Sequence, residues 1–241
     1  MRCKILSVWG RAGSGKTTFA VNLALALSER HFIVGLVSSN LQYGNLQVFF
    51  NQSIREDKGI FKVLESINGS VSEHFWKCGI HDTLFLLSVP NGYKGLLADG
   101  ISGEDAENLL TQASVFFDFL IVDGTEQINN PISSVALTLS STIFTLHQPS
   151  IAGCLWLKGM EDFILQLHLK DRLIHILNAN DGSCPIEDFL KSTGLHYAQE
   201  LPFMKAASTY ENAGTPIYLN TDKESKRYSR VVDAIADELC G

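Results

Sequence analysis

A chain of 241 residues, 45% hydrophobic and 19% charged, has ordinary globular composition and ample apolar material for one α/β core. Its formal net charge of −7 leaves no overall electrostatic drive toward nucleic acid, and no run of Lys or Arg marks a local basic patch. The five scattered cysteines, Cys3, Cys78, Cys154, Cys184 and Cys240, form no C-x-x-C pair, which argues against a disulfide framework or zinc site and for a reducing cytosol.

Cys3 to Trp9 reads as a short apolar strand, followed by a glycine-rich loop and a helix from Lys16 to Ser28 with a largely apolar surface. With a strand and loop so close to the N-terminus, no signal peptide is expected, and no apolar run approaches the ~20 residues of a membrane span. Phe32 to Val37 is a second strand, Gly59 to Ile67 a short helix, and Leu84 to Val89 a third strand ended by Pro90-Asn91-Gly92. The segment Asn68 to Asp82 has no regular pattern. Ser102 is placed to cap a helix with Glu104 and Asp105 in its first turn, where acids favour the helix dipole. Phe119 to Val122 is an apolar strand, and Pro131 opens a short helix at a position that tolerates proline. Thr142 to Leu146 is a strand, Ile151 to Leu169 one long helix, and Leu173 to Leu177 another strand. A helix over "CPIEDFLKSTG" ends at Gly194, and a last helix runs from about Glu224 to Leu239. Strands that are apolar on both faces and alternate with helices predict a doubly wound, mainly parallel sheet of about seven or eight strands with helices on both faces. No repeat or linker divides residues 1–241, so a single domain is expected.

Gly10-Arg11-Ala12-Gly13-Ser14-Gly15-Lys16-Thr17 fits G-x-x-x-x-G-K-[ST] in full. The glycines let backbone N–H groups turn toward phosphate oxygens, and the following helix aims its positive end at the same place. Lys16 would reach the β and γ phosphates, and the Thr17 hydroxyl would ligate magnesium. The strand-loop-helix setting makes a chance match improbable.

With Thr18, this run resembles the deviant phosphate loop of the MinD/ParA superfamily of P-loop ATPases, usually K-G-G-x-G-K-T-T after a glycine. The opening lysine of that form falls on Arg11, and the resemblance implies contact with a partner's phosphates across a nucleotide sandwich dimer. Arginine keeps the charge and can meet two oxygens, while a solvated loop arginine is the competing reading. "FDFLIVDGTEQ" resembles the superfamily's "YDxIIID" strand, which makes Asp123 the candidate for holding a magnesium-bound water. "ILNANDGS" resembles the segment whose asparagine contacts adenine, which falls on Asn178, with Ala179 where an arginine usually follows. An asparagine that merely breaks a strand is the alternative there. "LPFMKAASTYENAGTPIY" resembles the base-binding loop, placing Pro202 and Phe203 beside the base and Met204 where that loop has an acid. The implied ligands are ATP and Mg2+, held by Gly10, Arg11, Ala12, Gly13, Ser14, Gly15, Lys16, Thr17, Thr18, Asn178, Pro202 and Phe203, with Thr17 and Asp123 on the metal.

"LVSSNLQYGNLQVFF" is similar to the "LVDLDLQFGDLALLL" of pilus-assembly ATPases of the Tad/Cpa type. That pattern carries two aspartates that serve magnesium and the attacking water, and they fall on Ser38 and Asn40. An amide takes no proton and adds no charge to a magnesium shell. Catalytic residues are therefore unassigned, with Glu126 the nearby acid that could substitute. The resemblance implies an ATP-binding switch or scaffold that dimerises, hydrolyses weakly or not at all, and serves a pilus or secretion machine. Such a protein would be cytoplasmic, recruited to the inner face of the membrane or a cell pole, and not itself inserted. An active partition or positioning ATPase cycling on DNA or membrane is the alternative. The acid-rich end of the last helix favours packing back on the domain over lying on a membrane. The seven histidines show no metal-ligand spacing, and the Phe49-Phe50 and Phe116-Phe117 pairs read as core.

Overall fold

The computed structural model describes residues 3–65, 70–93, 101–195 and 199–241. Eight strands form one sheet in the order β3-β4-β2-β5-β1-β6-β7-β8. They are β1 (Lys4–Gly10), β2 (Val34–Ser38), β3 (Trp76–Lys77), β4 (Leu84–Leu87), β5 (Phe119–Asp123), β6 (Thr142–His147), β7 (Leu173–Leu177) and β8 (Gln199–Glu200). Every pairing is parallel except β3 with β4. The expected parallel, doubly wound sheet is therefore the observed one.

The strands' two faces explain their continuous apolar runs. Along β5, Phe119 and Ile121 enter one layer while Leu120 and Val122 enter the other. Successive side chains of a strand point to opposite faces, so a strand covered on both sides must be apolar throughout. The first layer holds α1 (Lys16–Glu29) and α9 (Lys223–Cys240). The second holds α3 (Gly103–Ala113) and α4 (Pro131–Leu139), continued by α5 (Ile151–Gly159) and α6 (Glu161–Gln166).

Every residue of α1 from Phe19 to Ser28 is buried. The sheet covers one side, and α9 covers another with Tyr228, Val232, Ile235, Ala236 and Leu239. Each large side chain so buried contributes roughly 1.5–3 kcal/mol relative to exposure. The acidic end of α9 is used within the chain: Arg30, just past α1, meets Asp233 at 3.0 Å and Asp237 at 2.7 Å. The last helix thus packs back on the domain, as its charge pattern suggested.

Local signals hold at the helix starts. Ser102 and Asp105 form a reciprocal capping box, and Asn130 caps α4 ahead of Pro131. Gly194, with φ +70°, closes α7 (Ile186–Thr193).

Several expectations change. The single helix over Ile151–Leu169 is two, broken at Met160 beside Gly159 and followed by His168 in the left-handed region. Glycine weakens a helix interior, and the break lets Phe163 and Ile164 wrap Trp9 and Leu169. Phe32 and Ile33 lie outside the second strand, because a left-handed His31 turns the chain late. The patternless stretch holds a 3₁₀ turn, Val71–His74, and the short antiparallel β3. Beyond β7 the chain adds the short β8, which no periodicity announced, and α8 (Ala207–Asn212), which ends just before Gly214. Phe49 and Phe50 are core, but the second pair divides, with Phe117 buried and Phe116 exposed. The short helix over Gly59–Ile67 is α2 (Ile60–Glu65); its expected end at Ile67 lies outside the described residues, as do Asn68 and His196.

Candidate functional site

The loop between β1 and α1 lies where parallel strands end and the strand order reverses, the usual place for a site in an open α/β sheet. Gly10 has φ +145°, and a Cβ there would stand 2.4 Å from the Leu146 carbonyl oxygen of neighbouring β6. Gly15, at φ +84°, leaves no room either: a Cβ would fall 2.2 Å from Asn178 Nδ2. The loop closes on itself through Ser14 N–H to the Arg11 carbonyl at 3.2 Å. Lys16 Nζ donates to that same carbonyl at 2.9 Å. Burial lowers the Lys16 pKa, opposed by the charges of Asp123 and Glu126 and helped by Arg11. Arg11 is half-buried, and its guanidinium leans toward Gln148 of its own chain at 3.5 Å.

Beside the loop opens a cleft of about 450 Å³. Ala12, Lys16 and Thr17 line it from the loop, Ser39 to Tyr43 and Asn45 from the turn after β2, and Asp123 to Gln127 from the end of β5. Asp123 is its buried centre. Thr17 Oγ1 donates to Asp123 Oδ2 at 2.8 Å, and Asn45 Nδ2 approaches the same oxygen at 3.4 Å. The other oxygen, Oδ1, is buried without a hydrogen-bond partner. Burial pushes the Asp123 carboxyl up to about 6, with Thr17, Lys16 and Asn45 pulling it back only in part. A carboxylate oxygen left bare in the interior, next to a hydroxyl, suits a hard cation or its bound water. Among the described residues no cluster of three or more His, Cys, Asp or Glu could hold a metal by itself.

The turn after β2 spends its polar atoms internally. Ser38 is fully buried in register with Asp123, and its hydroxyl donates to Asn45 Oδ1 at 2.6 Å. Asn40 Oδ1 accepts the backbone N–H groups of Gln42 at 3.0 Å and Tyr43 at 3.4 Å. Its amide nitrogen can only donate. Neither Ser38 nor Asn40 can therefore take a proton from water. Ser39 binds the Asp123 carbonyl through both its N–H and its hydroxyl, and Asn130 Nδ2 holds the Ser39 carbonyl at 2.8 Å.

Glu126 sits closer to the loop than its turn position implied: its Oε2 accepts the Ala12 N–H at 2.7 Å. Asn45 and Asn130 went unnoticed in the sequence, because an asparagine in a turn or at a helix start carries no functional signature of its own.

On the other side of the loop stand β6, β7 and β8. Asn178 is buried, and its Nδ2 donates to the Ser14 carbonyl at 2.8 Å, so it braces the loop from below. Leu201 N–H bonds the Leu177 carbonyl at 2.8 Å, so Pro202 and an exposed Phe203 follow directly after the chain pairs with the end of β7. Met204, where the resembling loop has an acid, is buried in the core. His147 and His175 meet at 2.9 Å across β6 and β7. Burial, with His175 second, drives His147 down to about 3, so the pair is neutral near pH 7.

No protein-family model matches the chain. The septum site-determining protein MinD of Thermotoga maritima is 23% identical over 240 residues, which cover 95% of this chain and 86% of that protein. A ParA family ATPase from Chlorobium tepidum superposes with TM-score 0.83 at 19% identity, over 99% of this chain and 100% of the other. MinD of Pyrococcus horikoshii, solved with Mg-ADP, superposes with TM-score 0.79 at 18% identity, over 99% and 98% of the two chains. The chain therefore has the fold of the MinD/ParA P-loop ATPases.

Proposed function

We propose that this chain binds ATP with Mg2+ as a MinD/ParA-like switch or scaffold, dimerises around the nucleotide, and hydrolyses it weakly or not at all. The phosphate loop and Lys16 would hold the phosphates, with Thr17 and Asp123 on magnesium and Asn178, Pro202 and Phe203 beside the base. When bound, magnesium would neutralise phosphate charge; the residues named here bind and orient. The MinD structure with Mg-ADP supports the ligand assignment by likeness of fold.

The observation that carries weak hydrolysis is the turn Ser38-Ser39-Asn40. It has no carboxylate, and the Asn40 oxygen is committed to its own backbone. Among the described residues the acids lining the cleft are Asp123, whose place beside Thr17 fits metal binding, and Glu126, whose carboxylate is engaged by the Ala12 N–H. Dimerisation is supported by large apolar side chains left exposed just after the C-terminal ends of three strands: Tyr43, Ile128 and Ile151. ATP bound across such an interface would stabilise the dimer by mass action. The likeness of the Leu36–Leu46 stretch to pilus-assembly ATPases makes a pilus or secretion assembly the proposed partner, met in the cytoplasm at the inner face of the membrane or a cell pole. No helix among the described residues is long and apolar enough to cross a membrane.

Sedimentation with and without ATP and Mg2+, with phosphate release followed in the same samples, tests this reading. A nucleotide-dependent dimer with no release is expected. Release followed by dissociation would replace the scaffold with a cycling ATPase. Ser38→Asp combined with Asn40→Asp should raise phosphate release, because it returns two carboxylates to the turn facing Asp123.

A further inference from the structure

Resting on the reading that the loop holds a nucleotide, we propose that Glu126 is a carboxylate latch on the phosphate loop. Its side chain holds the position of a terminal phosphate oxygen. A nucleoside triphosphate must displace it, whereas a diphosphate need not.

The geometry begins with one donor. Ala12 N–H gives its hydrogen to Glu126 Oε2 at 2.7 Å, a short bond to an anionic acceptor. The Glu126 charge also acts on Lys16, the loop's own ammonium. A phosphate oxygen seeks the same two partners, since backbone N–H groups at a helix start and a lysine are what such a loop offers an anion. Two anions cannot share one N–H and one ammonium without repulsion. Carboxylate and phosphate therefore exclude each other at Ala12.

Which phosphate is excluded follows from the layout. Ala12 faces the cleft together with Lys16, Thr17 and Asp123, the end where a lysine of this motif reaches the β and γ phosphates. Asn178, Pro202 and Phe203, beside the other flank of the loop, do not line that cleft. A diphosphate ends before the Ala12 amide and leaves the latch closed.

Release of the latch also has a route into the chain. Glu126 follows an anchored stretch: Gly124 N–H bonds the Val8 carbonyl at 2.9 Å and Thr125 N–H bonds Ser133 Oγ at 2.8 Å. After it, Gln127, Ile128 and Asn129 are exposed, and Asn130 holds the Ser39 carbonyl. The exposed span between these anchors is tied only locally, through the Gln127 carbonyl to Asn130 N–H at 3.2 Å and the Ile128 carbonyl to the Ser134 hydroxyl, and it would shift as a unit when Glu126 lets go. It ends on the turn after β2, so occupancy of the terminal phosphate position is passed to the rim that carries Tyr43 and Ile128. A scaffold that hydrolyses little needs such a way to tell triphosphate from diphosphate.

The test is calorimetric titration of the full chain with a non-hydrolysable ATP analogue and, separately, with ADP, each with Mg2+. Wild type is compared with Glu126→Gln and Glu126→Ala. Both variants should bind the ATP analogue roughly tenfold more tightly, as for one charge-assisted bond lost at a partly exposed site, while ADP affinity moves by less than about threefold. An analogue affinity that stays within about twofold of wild type, or weakens, overturns the latch while leaving the loop's ligand in place. If wild type and both variants bind neither nucleotide, the reading of the loop itself fails, and the latch with it.

Discussion

The two flanks of the phosphate loop bury polar groups in opposite ways. Toward β5 and β2, the buried carboxylate of Asp123 keeps one oxygen without a partner and opens on a cleft. Toward β6 and β7, His147 satisfies itself against His175, Asn178 satisfies Ser14, and aromatic side chains such as Trp156 and Phe189 close around the histidines. Both flanks contain titratable groups moved by burial. On the first, the unpartnered carboxylate belongs to a residue that lines an open cleft, where its need could be met from outside. A perturbed pKa is therefore a poor guide to function until the hydrogen-bond partners are counted. His147 is shifted at least as far as Asp123, yet it reads as structure.

The largest expected effect is on the cleft side. Lys16→Ala should weaken ATP binding roughly a hundredfold or more, since it removes the charged donor that the proposed function assigns to the phosphates. Calorimetry checks this, and an unchanged melting temperature would show that the fold does not need the lysine. Near-normal affinity would break the functional assignment of this flank.

Next comes Asp123→Asn, which should stabilise the protein at pH 7. Burial raises the folded pKa of Asp123 to about 6 from an ordinary 3.8, so the folded state binds the proton more tightly than the unfolded one. Stability from this group is present at low pH and is lost as pH rises through about 6, and removing the charge recovers on the order of 2 kcal/mol at neutral pH. Urea unfolding at pH 5 and pH 7 should show a flatter profile in the variant. A less stable variant would mean that the bare oxygen is better served than the geometry indicates.

The closed flank should behave with the opposite sign. The folded pKa of His147, about 3, lies below its ordinary 6.5, so the unfolded state takes the proton first. Stability is full above pH 6.5 and falls as pH drops toward 3, and His147→Gln should remove on the order of 1 kcal/mol of that loss between pH 7 and pH 5. Its nucleotide affinity at pH 7 should stay near wild type. A large loss of affinity would blur the contrast between the flanks.

Much of the fold was legible along the chain. Continuous apolar strands, the Ser102 cap, Pro131 at a helix start and Gly194 at a helix end are local events, each decided within a few residues. The elements that escaped notice have no local pattern. β3 and β8 are two residues long and exist because a neighbouring strand offers them hydrogen bonds. The break at Met160 is visible only as a glycine of modest consequence, until Trp9 is found waiting for Phe163. At the site, the glycine-rich turn between β1 and α1 was legible because Gly10 and Gly15 answer a backbone requirement in one short run. Glu126 was noticed only as a spare acid, and its bond to Ala12 joins residues 114 apart.

The sequence by itself determined the glycine-rich loop, the alternation of strands and helices and the absence of acids at Ser38 and Asn40, because each is written in contiguous residues. The tertiary structure alone decided which groups stand together. Thr17 meets Asp123 across 106 residues and Asn178 braces Ser14 across 164, through a strand order that no local pattern specifies. The physical reason is that parallel strands pair through long crossovers, so the partners at their ends are set by the packing of the whole sheet.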